Sequence, residues 1–154
     1  MIHCLSRIIF VFLKFFWEEF FRGDFVKLWK NAVLFYLGGL GYFCLELLWR
    51  GWSHGSMFLA GGTCFLLLGA INRTHAPLPL KAMAGALAIT AVELAAGLLV
   101  NREYTVWDYR DQPGNFLGQI CPGFTLLWIP VAMAAMCLYG PLETEIRRRT
   151  APPA

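Results

Sequence analysis

Charge is scarce in this sequence, and what there is nearly avoids four long stretches. Only 15% of the 154 residues are charged, against 58% hydrophobic and 16% aromatic. That is too apolar for an ordinary soluble domain and long enough for four to five lipid-spanning helices. The five cysteines, Cys4, Cys44, Cys64, Cys121 and Cys137, are dispersed without a CxxC pair. A zinc or redox framework is therefore not expected, and neither is any metal or other cofactor. There is no GxxxxGK[ST] stretch, so the chain has no phosphate cradle of its own. The net charge is only +3, and basic residues are not interleaved with aromatics, so a nucleic-acid groove is not expected. Near the start, Lys14 interrupts the apolar run Ile8–Leu13 and no small-residue cleavage site follows, so the first segment is expected to stay in the chain.

What is present reads as an all-α membrane protein, a four-transmembrane-helix bundle. The spans are expected at about 32–49, 54–71, 82–101 and 116–140, within a bundle covering 31–141, because apolar runs near twenty residues suit a hydrocarbon core roughly 30 Å thick. In segment 5–22, Arg7, Lys14, Glu18 and Arg22 share one narrow helical arc, with aromatic and aliphatic residues filling the rest. Residues 1–30 are therefore expected as an amphipathic N-terminal segment lying in the interface, the alternative being a fifth span. Residues 142–154 read as a basic tail, whose Arg147, Arg148 and Arg149 are taken as topology determinants with no chemistry assigned. Ten of the thirteen Lys and Arg residues fall in the N-terminal segment, the middle connection and that tail. Both termini are therefore expected on the cytoplasmic side.

Two acids interrupt the apolar spans, Glu46 in the first and Glu93 in the third. A lone carboxylate at a bilayer centre costs about 3 kcal/mol even on the lenient insertion scale, so such residues normally face a protein interior and a partner. Glu46 precedes Arg50 by four residues, the favourable order for a helical ion pair, which leaves open a purely structural role. Glu93 has no basic residue one turn away, so its carboxylate must find a proton, a partner from another helix, or water. The alternative is interhelical hydrogen-bond glue. Thr90, Glu93, Gly97 and Asn101 share one face of the third span, leading toward its outer end. Glu46-Leu47 and Glu93-Leu94 lie in parallel spans and hint at a 2+2 repeat.

The connection after the third span is polar and aromatic: Trp107-Asp108-Tyr109-Arg110-Asp111-Gln112-Pro113-Gly114-Asn115. Pro113-Gly114 marks a turn, Asn115 is expected to cap the fourth span, and Gln119 is expected one turn inside it, ahead of Pro122 and Pro130. Trp107 and Tyr109 suit a membrane interface, and Asp108 places an acid at the mouth of a cavity. With Arg50 and His54 mapping to the same side, these residues are expected to line one polar cavity in the outer half of the bundle. His54 alone is read as structural more readily than as a ligand.

Leu45-Glu46-Leu47-Leu48-Trp49-Arg50-Gly51 with Ser53-His54-Gly55, then Glu93-Leu94 with Gly97, then Trp107-Asp108-Tyr109, Pro113, Asn115, Gly118-Gln119-Ile120-Cys121 and Phe124, closely resemble the bacterial ABC-transporter type IV permease family. The resemblance covers about residues 35–140 and does not extend to the N-terminal segment. Within it the chain departs from the family in Pro122-Gly123, where members usually carry a bulkier apolar stretch. It implies a multi-pass protein of the cell membrane, in bacteria the inner membrane. It also implies recurrent positions at Glu46, Arg50, Gly51, His54, Glu93, Trp107, Asp108, Tyr109, Pro113, Asn115, Gly118 and Gln119, and a possible membrane or ATPase partner subunit. ATP would have to be hydrolysed by that other subunit, across an internal connection of about ten residues at 72–81, short for the purpose.

Three functions remain open. One is a permease-like protein binding or moving a polar or cationic small solute, with Glu46, Arg50, His54, Glu93, Asn101, Trp107, Asp108, Tyr109, Asn115 and Gln119 as substrate-binding or proton-coupling residues. A second is an intramembrane enzyme acting on a lipid or lipid-linked substrate, with Glu93 or Asp108 as general base. The third is an accessory subunit of a larger membrane complex. Four helices enclose little room, so a homo-oligomer is expected in the bilayer.

Overall fold

In the computed structural model, the backbone is described for residues 2–150 and the side chains for residues 25–150. Four helices follow one another: α1 (Ile2–Arg50), α2 (Gly55–Asn72), α3 (Leu78–Val100) and α4 (Pro122–Thr150). Each contributes a stretch long and apolar enough to cross a bilayer, α1 through Phe25–Arg50. The protein is an all-α, multi-pass membrane protein.

The boundaries have local causes. Gly51, at φ +78°, carries the chain out of α1 while its N–H closes back on the Leu47 carbonyl, the left-handed exit that a glycine makes without a Cβ penalty. His54 caps α2 by accepting from the Ser56 N–H at 3.3 Å. α3 starts at Leu78, with proline in its first turn where no backbone donor is missed. The connection between α2 and α3 is therefore only 73–77, shorter than the expected ten residues.

Several expectations change here. The fourth span does not start at Phe116. Residues 116–121 form a tight turn closed by a bridge between Phe116 and Ile120, with Leu117 and Gly118 both at positive φ. α4 begins at Pro122, which therefore starts the helix instead of breaking it, and Gln119 lies in the connection. Asn115 does not cap α4; it accepts from the Gly118 N–H and donates to the carbonyls of Arg110 and Gln112, holding the turn itself. Within the stretch expected as a tail, residues 142–150 continue α4 through Pro141 to Thr150, and 151–154 lie outside the described residues. The amphipathic stretch 5–22 belongs by backbone to α1, and its side chains lie outside the described residues.

Packing pairs α1 with α2 and α3 with α4 as two hairpins, with α2 and α3 adjoining. The first pair approaches closely because of glycine. A Cβ on Gly62 would stand 2.7 Å from the Phe35 carbonyl oxygen, and one on Gly39 would stand 2.5 Å from that of Phe58. Without a hydrophobic driving force between helices in lipid, such close contact is what holds them together. Leu68, Ala86, Ile89, Trp128, Ala132 and Met136 form the shared core of α2, α3 and α4.

Nearer the long loop Tyr42 of α1 meets Trp128 of α4, and the two helices meet again at the opposite end of the bundle. There Leu34 packs with Phe65 and Tyr139. Beside them Glu143 accepts from Lys30 at 2.6 Å, Arg73 at 2.8 Å and Arg147 at 3.0 Å. Lys30, Arg73 and Glu143 come from α1, the α2–α3 connection and α4, so one carboxylate fastens three parts of the chain. Arg148 and Arg149 bond to Glu145, one turn back.

Candidate functional site

At the opposite end, the connection from Asn101 to Cys121 folds over the bundle as a cap. Its centre is an amide pair. Asn101, fully buried, donates to the Trp107 carbonyl at 2.6 Å and to Gln119 Oε1 at 3.0 Å, and it accepts from the Val106 N–H. Gln119 returns a bond to the Asn101 carbonyl, and the Trp107 indole donates to the Gln119 carbonyl. Gly97 leaves room for the Gln119 side chain, which a Cβ there would displace. Every polar atom of this pair has a partner, so its role is to fix the loop on α3, as fully satisfied buried networks do.

Under the cap lies a cavity of about 500 Å³, bordered by all four helices and the loop. Glu46 and Arg50 of α1, Glu93 of α3, and Trp107 and Tyr109 of the loop line it. Five of the ten sequence-selected residues therefore share one space. The lining is mostly apolar, contrary to the polar cavity expected. Tyr42, Trp49, Phe124 and Trp128 supply further aromatic surface, and Leu45, Met57, Val92 and Leu127 are among the aliphatic residues.

The other five stand elsewhere. Asn101 and Gln119 form the amide pair, and Asn115 holds the turn. His54 is exposed at the α2 cap, bonded to the Ser56 hydroxyl. Asp108 is exposed and forked onto Arg110, with bonds of 2.7 to 3.0 Å. Those bonds hold its carboxyl below the usual carboxylate range. It stands outside the cavity rather than at its mouth.

The two glutamates differ in their partners. Glu46 Oε1 accepts from Arg50 at 2.7 Å and Oε2 from the Ser53 hydroxyl at 2.5 Å. Arg50 also reaches the carbonyls of Val106 and Trp52 and stacks over the Trp52 ring at 4.2 Å. This cluster ties the end of α1 to both neighbouring loops. Glu93 instead accepts from the Tyr109 hydroxyl at 2.9 Å and from the Trp128 indole at 3.1 Å. Both donors are neutral, and no cation lies within ion-pair distance of it among the described residues. Burial first, then the negative charge of Glu93, hold the Tyr109 phenol above its ordinary pKa, so it remains a donor. Tyr109 is itself stacked on Phe124, ring centroids 4.6 Å apart.

Sequence reasoning missed Tyr42 and Trp128. Tyr42 lies one turn before Glu46 on the same face of α1, a usable signal. An indole N–H in an apolar span needs an acceptor, and Glu93 is one. Among the described residues, no group of His, Cys, Asp or Glu is arranged to hold a metal ion, and Cys44, Cys64, Cys121 and Cys137 are free thiols.

No curated protein and no solved structure matches the chain. A family model described as "Putative ABC-transporter type IV" matches residues 8–152. The match includes most of the amphipathic segment, which the motif-based resemblance did not reach. With nearly the whole sequence covered, helices and loop cap alike, the chain belongs to this ABC-transporter-like family of membrane proteins.

Proposed function

We propose that the protein is a permease-like membrane protein that binds a small solute in the cavity between Glu46 and Glu93 and passes it across the bilayer. The observation that carries this reading is Glu93, a carboxylate facing a ligand-sized space with both oxygens held by neutral donors. Cavities of roughly 300–1,000 Å³ with few polar groups in an apolar lining are the usual form of small-molecule sites. An acid inside a membrane bundle ordinarily marks a solute or proton pathway. Tyr109 and Trp128 orient the carboxylate and leave its charge for a solute or a proton to neutralise.

In this reading both termini lie on the cytoplasmic side of the cell membrane and the loop cap faces outward, following the distribution of Lys and Arg. The cavity serves within a homo-oligomer, the usual way for four helices to build a pathway. An ATPase subunit, where one is engaged, would have to dock on the short 73–77 connection and the adjoining end of α4. The enzyme reading is the weaker one, because Asp108 and His54 stand outside the cavity and leave Glu93 with only the Tyr109 phenol as a titratable hydrogen-bond partner among the described residues.

The test is flux into proteoliposomes with the purified protein. Uptake is expected to depend on external pH in the wild type, and Glu93→Gln is expected to lower it at least tenfold and abolish that dependence. Equal uptake by the two proteins would overturn the proposal.

A further inference from the structure

We infer that the solute is an organic cation with an apolar, aromatic-sized body that enters from the lipid between α1 and α4. The inference rests on the cavity being the solute site.

The charge follows from what the cavity offers. Glu46 is neutralised by Arg50, whose guanidinium is also bonded to two carbonyls. Glu93 is the acid at the wall with no cationic partner among the described residues. A ligand with one positive charge would complete the site, whereas an anion would meet two acids and only one committed arginine. The Trp128 indole bonds Glu93 and its ring centroid lies 6.0 Å from that of Tyr42, while the stacked Tyr109–Phe124 pair stands on the carboxylate's other oxygen. Aromatic faces attract a cation most strongly when it is weakly hydrated, as organic cations are. An inorganic ion needs several oxygens to replace its water, and this mostly apolar lining supplies few.

The apolar body follows from the remaining wall, and the entry route from exposure. α1 packs chiefly on α2, and it meets α4 at the end fastened by Glu143 and again where Tyr42 reaches Trp128. Toward the loop cap, Leu45 and Trp49 of α1 and Leu127 of α4 line the cavity while remaining 52%, 78% and 46% exposed. The opening they frame therefore lies between two lipid-spanning helices. A solute concentrated in the bilayer by its apolar body would meet it directly.

Equilibrium dialysis of the full-length protein in nanodiscs, against empty nanodiscs, tests this with tetraphenylphosphonium and the smaller benzyltrimethylammonium. The controls are tetramethylammonium, sodium, the anion tetraphenylborate and an uncharged aromatic amide. At least one aromatic cation is expected to bind saturably and at least tenfold more tightly than any control. Glu93→Gln is expected to weaken it tenfold or more and Glu93→Asp to retain most of it, with both variants checked for monodispersity. Absence of saturable binding by both aromatic cations, or equal binding by Glu93→Gln, would overturn the inference. A control solute that binds in a Glu93-dependent manner would overturn the cation class yet leave the cavity as the site. Glu93-independent flux would remove the site itself.

Discussion

Glu46 and Glu93 border the same cavity from different helices, in opposite surroundings. Glu46 has a guanidinium at 2.7 Å and a hydroxyl at 2.5 Å, and the arginine continues into two loops. Glu93 has a phenol and an indole. The first acid is part of a strut whose partners would suffer from its loss. The second is held in place by donors that orient it without cancelling its charge. An acid in a membrane helix is thus not one kind of feature, and the sign of its partners separates an acid tied into a strut from one whose charge is left uncancelled.

The largest effect expected from disturbing this contrast is on stability, at Arg50. Arg50→Met leaves Glu46, whose side chain is 13% exposed, with its charge uncompensated. The expected cost is about 3 kcal/mol, near the low end for a broken buried pair because the arginine is partly exposed. Thermal unfolding in detergent measures it, and an unchanged Tm would remove the distinction between the two acids. Glu93→Gln is expected to do the reverse, weakening solute binding tenfold or more while leaving Tm unchanged or slightly raised, since the amide oxygen can accept from the Trp128 indole while its NH2 donates to the Tyr109 hydroxyl oxygen. Tyr109→Phe removes one neutral donor and is expected to weaken binding a fewfold, about 1 kcal/mol, which the same dialysis would read. Asp108→Asn is expected to do least, leaving binding unaltered. Because Asp108 is held below its usual pKa by Arg110, the small stability it adds is present at neutral pH and disappears as the pH falls through its folded-state pKa. A Tm difference between wild type and Asp108→Asn that persists at low pH would contradict that assignment.

Much of the arrangement was legible from local chemistry. The Glu46–Arg50 pair followed from four-residue spacing, and the helices around it from hydropathy. The face carrying Thr90, Glu93, Gly97 and Asn101 does meet a neighbour at each step. Thr90 bonds Thr125, Glu93 bonds Trp128, Gly97 packs on Gln119 and Asn101 bonds Gln119. What could not be read was the pairing of Asn101 with Gln119 across the loop, because hydrogen-bond partners eighteen residues apart leave no periodic trace. The start of α4 was misplaced for a different reason. Phe116-Leu117-Gly118-Gln119-Ile120-Cys121 is apolar enough to extend a span, but the backbone turns through positive φ at Leu117 and Gly118, and hydropathy is blind to that. Asp108 and His54 were chosen for their chemistry, whereas ion pairing and helix capping account for where they stand.

Glu143 has a mechanical consequence. By gripping Lys30, Arg73 and Arg147 at one end of the bundle, it places a fulcrum there, from which the far halves of α1 and α4 extend as two arms with the Tyr42–Trp128 ring contact between them. Any widening between those arms must grow with distance from the fulcrum. It therefore falls most heavily on the strap from Arg50 to the Val106 carbonyl, where the first arm is tethered to the loop above.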